Sequence, residues 1–351
     1  MKLSSFYRSL LVALPLVVAV ALPTSAHALT VSPVRFELGA DTGQTITQPM
    51  ILTNEEKVPV TFYSSFANFE AQGESGAPAF TLGNEGIRTW MHTDASVTLK
   101  PGETKVIPLS ITVPKNAEAG GNFGAVFWGT LPPGGDNSGK VGVGAQLGIL
   151  VLLRVNGQIN EKGGILSFGI SNNQTRFTAL PVTFFYRFEN SGSDRAKPEG
   201  AVTVRNMLGF ATALVPANIV EGNVLPKSIR RFETAWQGKA GMKADTATGF
   251  FGKAHYEWNN FAFGRYTAVL ALTFGENNSQ HASSQKVSFW VFPWHLLVLI
   301  LIVLFFVWFV GRGLLRMYAH SIERRVTAQI EERTHEGVTP KSHKKTSSAQ
   351  D

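Results

Sequence analysis

The 351-residue chain contains no cysteine. This absence excludes disulfide bonds, thiolate metal ligands, cysteine nucleophiles and lipid attachment through a cysteine. Folded domains in this chain must therefore be held together by their hydrophobic cores, without disulfide bonds. The segment from residue 29 to residue 288 is long enough for two domains of ordinary size.

An excess of charge is also missing from most of the chain. The formal net charge is +7, but residues 29–288 hold 22 Lys and Arg against 20 Asp and Glu. The surplus lies in residues 1–28 and in residues 312–351. We therefore expect no nucleic-acid partner, because a near-neutral domain lacks the basic surface that such a partner requires.

Motifs that carry chemistry are absent as well. No G-x-S-x-G elbow and no H-E-x-x-H metal motif occurs, and the spacing of His92, His255 and His281 does not suit a metal site. His255 and Glu257 are expected on one face of a strand, as a solvated pair. The Gly-Lys segment at 134–141 lacks the Ser or Thr of a phosphate-binding loop and is predicted to be a hairpin loop. The sequence thus predicts a protein that is not an enzyme and has no cofactor and no metal.

Two apolar runs are present, and the first begins the chain. Lys2 and Arg8 precede an apolar stretch that ends in Ala-His-Ala at Ala28. A basic start, a short apolar centre and an A-x-A end are typical of a secretory signal peptide. We predict a signal peptide over residues 1–28, with cleavage between Ala28 and Leu29.

The second run, residues 289–311, contains no Asp, Glu, Lys or Arg. A helix of that length spans roughly 34 Å, which exceeds the bilayer core of about 30 Å. The sequence therefore predicts one transmembrane helix, with His295 reaching back to its outer surface. The residues expected at the two membrane surfaces are Trp290, Trp294, Trp308, Arg312 and Arg316.

The arginines that follow this run mark the cytoplasmic side. Residues 29–288 are thus expected outside the cell membrane, facing the cell wall, and residues 312–351 form a basic cytoplasmic tail. Leu315, Ile322, Val326 and Ile330 recur at helical spacing in the tail. This pattern favours an amphipathic helix that lies on the inner leaflet or pairs with another chain, or else a solvated helix that frays.

Alternating apolar and polar residues predict β-strands throughout residues 29–288. Ile107, Leu109 and Ile111 alternate with polar residues or proline, as expected for a strand with one buried side. Three elements recur in the same order about 130 residues apart, including a strand that ends at Asn54 and another that ends at Asn190. We predict an all-β ectodomain of two tandem immunoglobulin-like β-sandwiches, residues 29–157 and 158–288.

The order of these parts resembles the WxL-interacting surface proteins of bacteria. The segments that carry the resemblance are "LTVSPVRFEL", "PMILTNEEKVPVTF" and "VTLKPGETKVIPLSITVPKNAEAGGNFGAVFWG", which is residues 97–129. The resemblance implies an anchored surface protein that binds peptidoglycan through its first domain and has other surface proteins as partners. "LTVSPVRFEL" and "LKPGETKVI" are also similar to periplasmic pilus chaperones.

Three functions are compatible with this organisation. The first is a non-enzymatic cell-surface protein that binds the cell wall, other surface proteins or both. The second is an assembly chaperone or subunit of an envelope complex, acting through β-strand pairing at a sheet edge. The third is a single-pass receptor. The sequence does not assign an oligomeric state.

Overall fold

The computed structural model describes residues 29–132, 146–238 and 247–336. The predicted signal peptide, including Ala28, lies outside the described residues. So do the predicted hairpin loop at 134–141 and residues 337–351 of the tail. Leu29, the expected first residue after cleavage, begins the first described strand.

The first half of the ectodomain, residues 29–157, is built from two sheets. One sheet has the strand order β1-β3-β8-β6, and the other has the order β2-β10-β9-β4-β5, with β7 paired to β4. The strands are Leu29–Ser32 (β1), Arg35–Ala40 (β2), Thr45–Asn54 (β3), Val60–Gln72 (β4), Ala77–Thr81 (β5), Met91–His92 (β6), Ser96–Leu99 (β7), Thr104–Thr112 (β8), Gly120–Gly129 (β9) and Gln146–Val155 (β10).

The predicted alternation explains how these sheets pack. Ile107, Leu109 and Ile111 of β8 are fully buried, whereas the residues between them face outwards or sit at the margin. Strands of both sheets contribute to one hydrophobic core, in which Trp128 is the largest fully buried side chain. The strand prediction for this part of the chain is therefore confirmed.

The second half has a similar plan. Its sheets have the orders β11-β13-β16 and β12-β18-β17-β14-β15. The strands are Gly163–Ile170 (β11), Arg176–Phe177 (β12), Val182–Asn190 (β13), Glu199–Asn206 (β14), Ala211–Pro216 (β15), Ser228–Trp236 (β16), Gly264–Phe274 (β17) and Gln280–Val291 (β18). They enclose a separate core rich in aromatic side chains. The predicted domain boundary between residues 157 and 158 falls in the segment that joins β10 to β11.

One helix departs from the all-β prediction. Gly249–Asn259 forms α1, so the ectodomain is mostly, but not entirely, β-sheet. The sequence pattern hid this helix because its buried and exposed faces each mix apolar and polar residues. Phe251 and Trp258 are exposed, while Tyr256 and Glu257 are buried. A helix of this kind lacks the inward apolar stripe by which amphipathic helices are recognised.

The last element is a single long helix, Trp294–Glu336 (α2). In the described part of the chain it is the one helix that is long and apolar enough to cross a membrane. It begins later than the predicted span, because Phe289, Trp290 and Val291 complete β18 and two of them enter the second core. The predicted tail helix is the continuation of α2, with Leu315, Ile322, Val326 and Ile330 exposed along it.

Candidate functional site

The first half has a sheet edge that is only partly paired. β1 pairs with β3 in one sheet, and the chain then switches to the other sheet, where β2 runs parallel to β10. Because β2 begins at Arg35, its pairing with β10 begins at Leu150. Residues 146–149 pair with β9 on one side, and no described strand pairs with them on the other. We call residues 146–149 the open edge.

Backbone groups of the open edge face outwards from the sheet. The Leu150 N–H donates to the Val34 carbonyl at 3.1 Å, so the backbone of Leu150 faces the β2 side. Successive residues of a strand alternate between its two neighbours, which directs the backbone groups of Gln146 and Gly148 to that same side. Because no described strand pairs with these donors and acceptors, they offer a template on which another strand can pair.

β8 is another incompletely paired strand in this half, and a proline protects its unpaired side. β6 pairs with β8 only at Ser110 and Ile111. Farther along β8, Pro108 lies opposite Pro49 of β3, so its nitrogen points away from β3 and offers no N–H to an incoming strand. The Pro108 carbonyl accepts a hydrogen bond from Thr93 Oγ1 at 2.7 Å. Proline blunts this edge, whereas the open edge contains none.

The open edge leads into a cleft between the two halves. Arg35, Leu150 and Leu152 form one wall of a cavity of about 210 Å³. Asn223 and Arg230 of the second half lie on the opposite wall. A segment paired at the open edge in line with β2 would therefore point towards this cavity, since Leu150 is the residue beside Arg35.

Arg230 is the most unusual group in the cleft. Its guanidinium lies between Gly76 and Gly222, where an added Cβ on either glycine would overlap it. Nη1 donates to the Asn223 carbonyl at 2.8 Å, but within the described residues nothing accepts a hydrogen bond from the buried Nε. Burial lowers the pKa of Arg230, and the like charge of Arg35 lowers it further. Arg35 Nε pairs with Glu37 Oε1 at 3.0 Å, but both arginines line the cavity, where their positive charge favours a carboxylate.

Ion pairs hold the two halves in a fixed relation around this cleft. Glu74 of the first half pairs with Arg187 of the second, and its carbonyl accepts a hydrogen bond from the Arg231 N–H at 2.8 Å. Arg154 contacts Asp194 at 3.2 Å. Burial raises the pKa of Asp194 although Arg195 and Arg154 oppose the rise. These contacts fix the width of the cleft. They do not form a catalytic arrangement.

The residues predicted at the membrane surfaces lie in two elements. Trp290 is in β18, and Trp294 is the first residue of α2. Trp308 follows within α2, and the Arg312 guanidinium lies 5.8 Å from its ring centroid. Arg316 is on the same helix. Trp290, Trp294 and Trp308 are all exposed.

Two expectations about histidine are wrong. His255 and Glu257 lie on α1, not on a strand, and Glu257 is buried rather than solvated. His295 is also buried, with Nδ1 at 2.6 Å from Glu257 Oε1, so it does not reach back to the surface. The other Glu257 oxygen accepts the Leu296 N–H at 2.8 Å. Sequence reasoning missed this pair because α1 was not recognised as a helix.

Comparison with known proteins gives weak likenesses only. No family model and no curated protein matches the sequence. Among solved structures, the class 5 fimbriae chaperone CfaA covers 75% of this chain and 99% of its own, with 11% identity and a TM-score of 0.34. The CsuC–CsuE pre-assembly complex of Csu pili from Acinetobacter baumannii gives 11% identity, a TM-score of 0.33 and coverage of 75% and 98%. The Pseudomonas aeruginosa CupB2 chaperone gives 9% identity, a TM-score of 0.31 and coverage of 75% and 100%. The resemblance to WxL-interacting proteins, and the peptidoglycan binding that it implies, stay predictions.

Proposed function

We propose that this chain is a membrane-anchored, non-enzymatic protein that binds an extended segment of another envelope protein by β-strand pairing. An assembly chaperone or a subunit of an envelope complex would act in this way. The observation that carries the proposal is the open edge, residues 146–149, which is paired on one side only within the described residues. Strand addition relies on main-chain groups, so it needs no catalytic constellation.

The proposed architecture follows the same organisation. Two tandem immunoglobulin-like sandwiches, residues 29–157 and 158–288, stand outside the membrane, and α2 crosses it. The apolar and exposed surface of α2 supports this role, since such a surface is stable in lipid and not in water. Arg312 and Arg316 follow the apolar run and favour a cytoplasmic tail.

The position of the cleft indicates the direction in which a bound segment would run. A segment paired at the open edge makes hydrogen bonds to the backbone of Gln146 and Gly148 and continues towards Leu150. There it meets Arg35 and Arg230, whose charges favour an acidic residue or a terminal carboxylate on the segment. Specificity would come from these side chains, and affinity mainly from the main chain.

The proposal is tested by placing a photo-crosslinker on either side of the first half. The chain has no native cysteine, so Leu147→Cys on the open edge and Val106→Cys on β8 each carry a single label. Both positions are exposed apolar residues on strands of the same half. In intact cells, we expect a discrete protein adduct from position 147 and none from position 106. Equal adducts from both positions would contradict strand pairing at the open edge.

A substitution then separates main-chain pairing from side-chain contact. Gln146→Pro removes an N–H on the open side, and proline is tolerated at the first residue of a strand. Gln146→Ala removes the side chain alone. We expect the proline variant to lose the adduct of position 147 and the alanine variant to keep it. If both variants keep the adduct, the partner does not bind through the backbone.

A further inference from the structure

Exposed apolar side chains gather at one end of the second half. They come from three separate segments of the chain, which are the turn after β14, α1 with the loop that follows it, and the junction between β18 and α2. Together we call them the collar, which consists of Met207, Leu208, Phe210, Phe251, Trp258, Phe261, Phe263, Trp290, Phe292 and Trp294. Leu208 and Phe251 are 74% and 73% exposed.

Strand register places the three segments at the same end. Asn206, which precedes the β14–β15 turn, lies opposite Tyr266 near the start of β17. The start of β17 lies opposite the end of β18, where Gly264 faces Val291. The β14–β15 turn and the segment before β17 therefore lie at the end of the sheet where the chain enters α2. The opposite end of β17 and β18 carries the polar turn 275–279, whose Glu276 contacts Arg154 of the first half.

α1 is fixed beside the first turns of α2. Tyr256 donates its hydroxyl hydrogen to the Leu180 carbonyl at 2.8 Å, which ties α1 to the second half. Glu257 contacts both His295 and the Leu296 N–H, which ties α1 to α2. Phe251, His255 and Trp258 share a face by their helical spacing. With residues 296–304 of α2 they line an open apolar groove of about 330 Å³.

The apolar part of α2 is slightly shorter than the core of a bilayer is thick. From Trp294 to Gly311, the residue before Arg312, the helix spans roughly 27 Å at 1.5 Å per residue, whereas a bilayer core is about 30 Å thick. Residues 289–291 cannot extend the span because they belong to β18. Insertion of the base of the second half into the outer leaflet would cover this difference of about 3 Å, as local thinning of the bilayer also would.

We propose that the collar inserts into the outer leaflet of the bilayer and that the groove between α1 and α2 is filled by phospholipid acyl chains. This inference rests on the proposed membrane span. Phospholipid is the occupant because the groove continues the apolar surface of α2 without interruption, and aromatic rings favour the headgroup boundary. The second half would then be held against the membrane in one orientation, and the cleft and the open edge would be held at a fixed height above it.

Spin-label depth measurements on the full chain test the inference. Single labels at Leu208→Cys and Trp258→Cys report on the collar, in nanodiscs of phosphatidylethanolamine and phosphatidylglycerol. Ile219→Cys, 65% exposed like Trp258, is the matched control, because it follows Pro216 at the other end of β15. Val307→Cys reports on the span itself. We expect the labels at 208, 258 and 307 to be relaxed more by oxygen than by a water-soluble nickel complex, and the label at 219 to show the reverse.

The two proposals fail in different ways. If the label at 307 lies in lipid while the labels at 208 and 258 match the control at 219, the collar stands in water and this inference is overturned. If the label at 307 is also in water, the membrane span is wrong and the inference falls with it. Should the control label also lie in lipid, insertion is not confined to the collar, and the stated orientation is wrong.

Discussion

The two halves of the ectodomain end in equivalent strands but differ in how those strands are covered. β10 and β18 each pair in parallel with a short strand, β2 and β12 respectively. In the second half, β11 also contacts β18, and Gln285 Nε2 of β18 donates to the Ile165 carbonyl of β11 at 3.0 Å. In the first half, β1 also contacts β10, but β1 has only four residues and no described strand pairs with residues 146–149 on the β2 side. The two halves therefore share a framework, and the open edge of the first half arises because β2 begins to pair with β10 only at Leu150.

The two halves agree elsewhere in detail. Asn54 is fully buried at the end of β3, and its Nδ2 donates to the carbonyls of Val58, Leu99 and Lys100 at 3.0–3.1 Å. Asn190 is buried at the end of β13, and its Nδ2 donates to the carbonyls of two residues at 2.7 and 2.8 Å. In both halves Oδ1 accepts the N–H two residues ahead. One amide thus fixes a strand end and its turn in each half.

Removing these amides should produce the largest effect. Asn54→Ala and Asn190→Ala each leave buried carbonyls and an N–H without partners, so we expect losses of roughly 3 kcal/mol in unfolding free energy. Urea unfolding of the detergent-solubilised chain, followed by tryptophan fluorescence, measures both. Asn116→Ala, at an exposed position, is the control. A loss in one half alone would break the equivalence of the two asparagines.

The sequence predicted that these two asparagines are equivalent. A repeated strand ending in Asn is visible because the elements that it joins are local and alternate regularly. The open edge was not visible, since it depends on where β2 begins relative to β10, more than 100 residues away. The Glu257–His295 contact joins residues that are 38 positions apart, and recognising it required α1. Contacts fixed by tertiary packing leave no periodic signal.

A smaller effect distinguishes the two cores. The Tyr186 hydroxyl of the second core is buried, and no described residue bonds to it. Burial raises the pKa of Tyr186. The first core contains a different buried group without a partner among the described residues, Trp128 Nε1, and an indole N–H does not titrate in this pH range. We expect Tyr186→Phe to stabilise the second half by about 1 kcal/mol, because it removes an unsatisfied buried hydroxyl.

The pH dependence of stability follows from the same group. The unfolded tyrosine ionises near pH 10, while the folded one keeps its proton to higher pH. The stability of the second half should therefore be unaffected below about pH 10 and should fall as the pH rises further. Unfolding measured from pH 8 to pH 11 should show a shallower fall in Tyr186→Phe than in the parent chain. Tyr63→Phe in the first half controls for the substitution. Identical slopes for the Tyr186→Phe variant and the parent would show that Tyr186 does not carry the dependence.

The smallest effect should come from Gln285, and it tests the contrast between the two edges directly. Gln285→Ala removes one hydrogen bond between β18 and β11, which costs about 1 kcal/mol or less. Hydrogen exchange of the parent chain should already be fast at Gln146 and Gly148 and slow along the middle of β18. The variant should raise exchange near residue 285 alone, because β11 still contacts the rest of the strand. If Gln146 and Gly148 exchange as slowly as β18 does in the parent chain, another segment covers the first edge, and the difference between the two halves disappears.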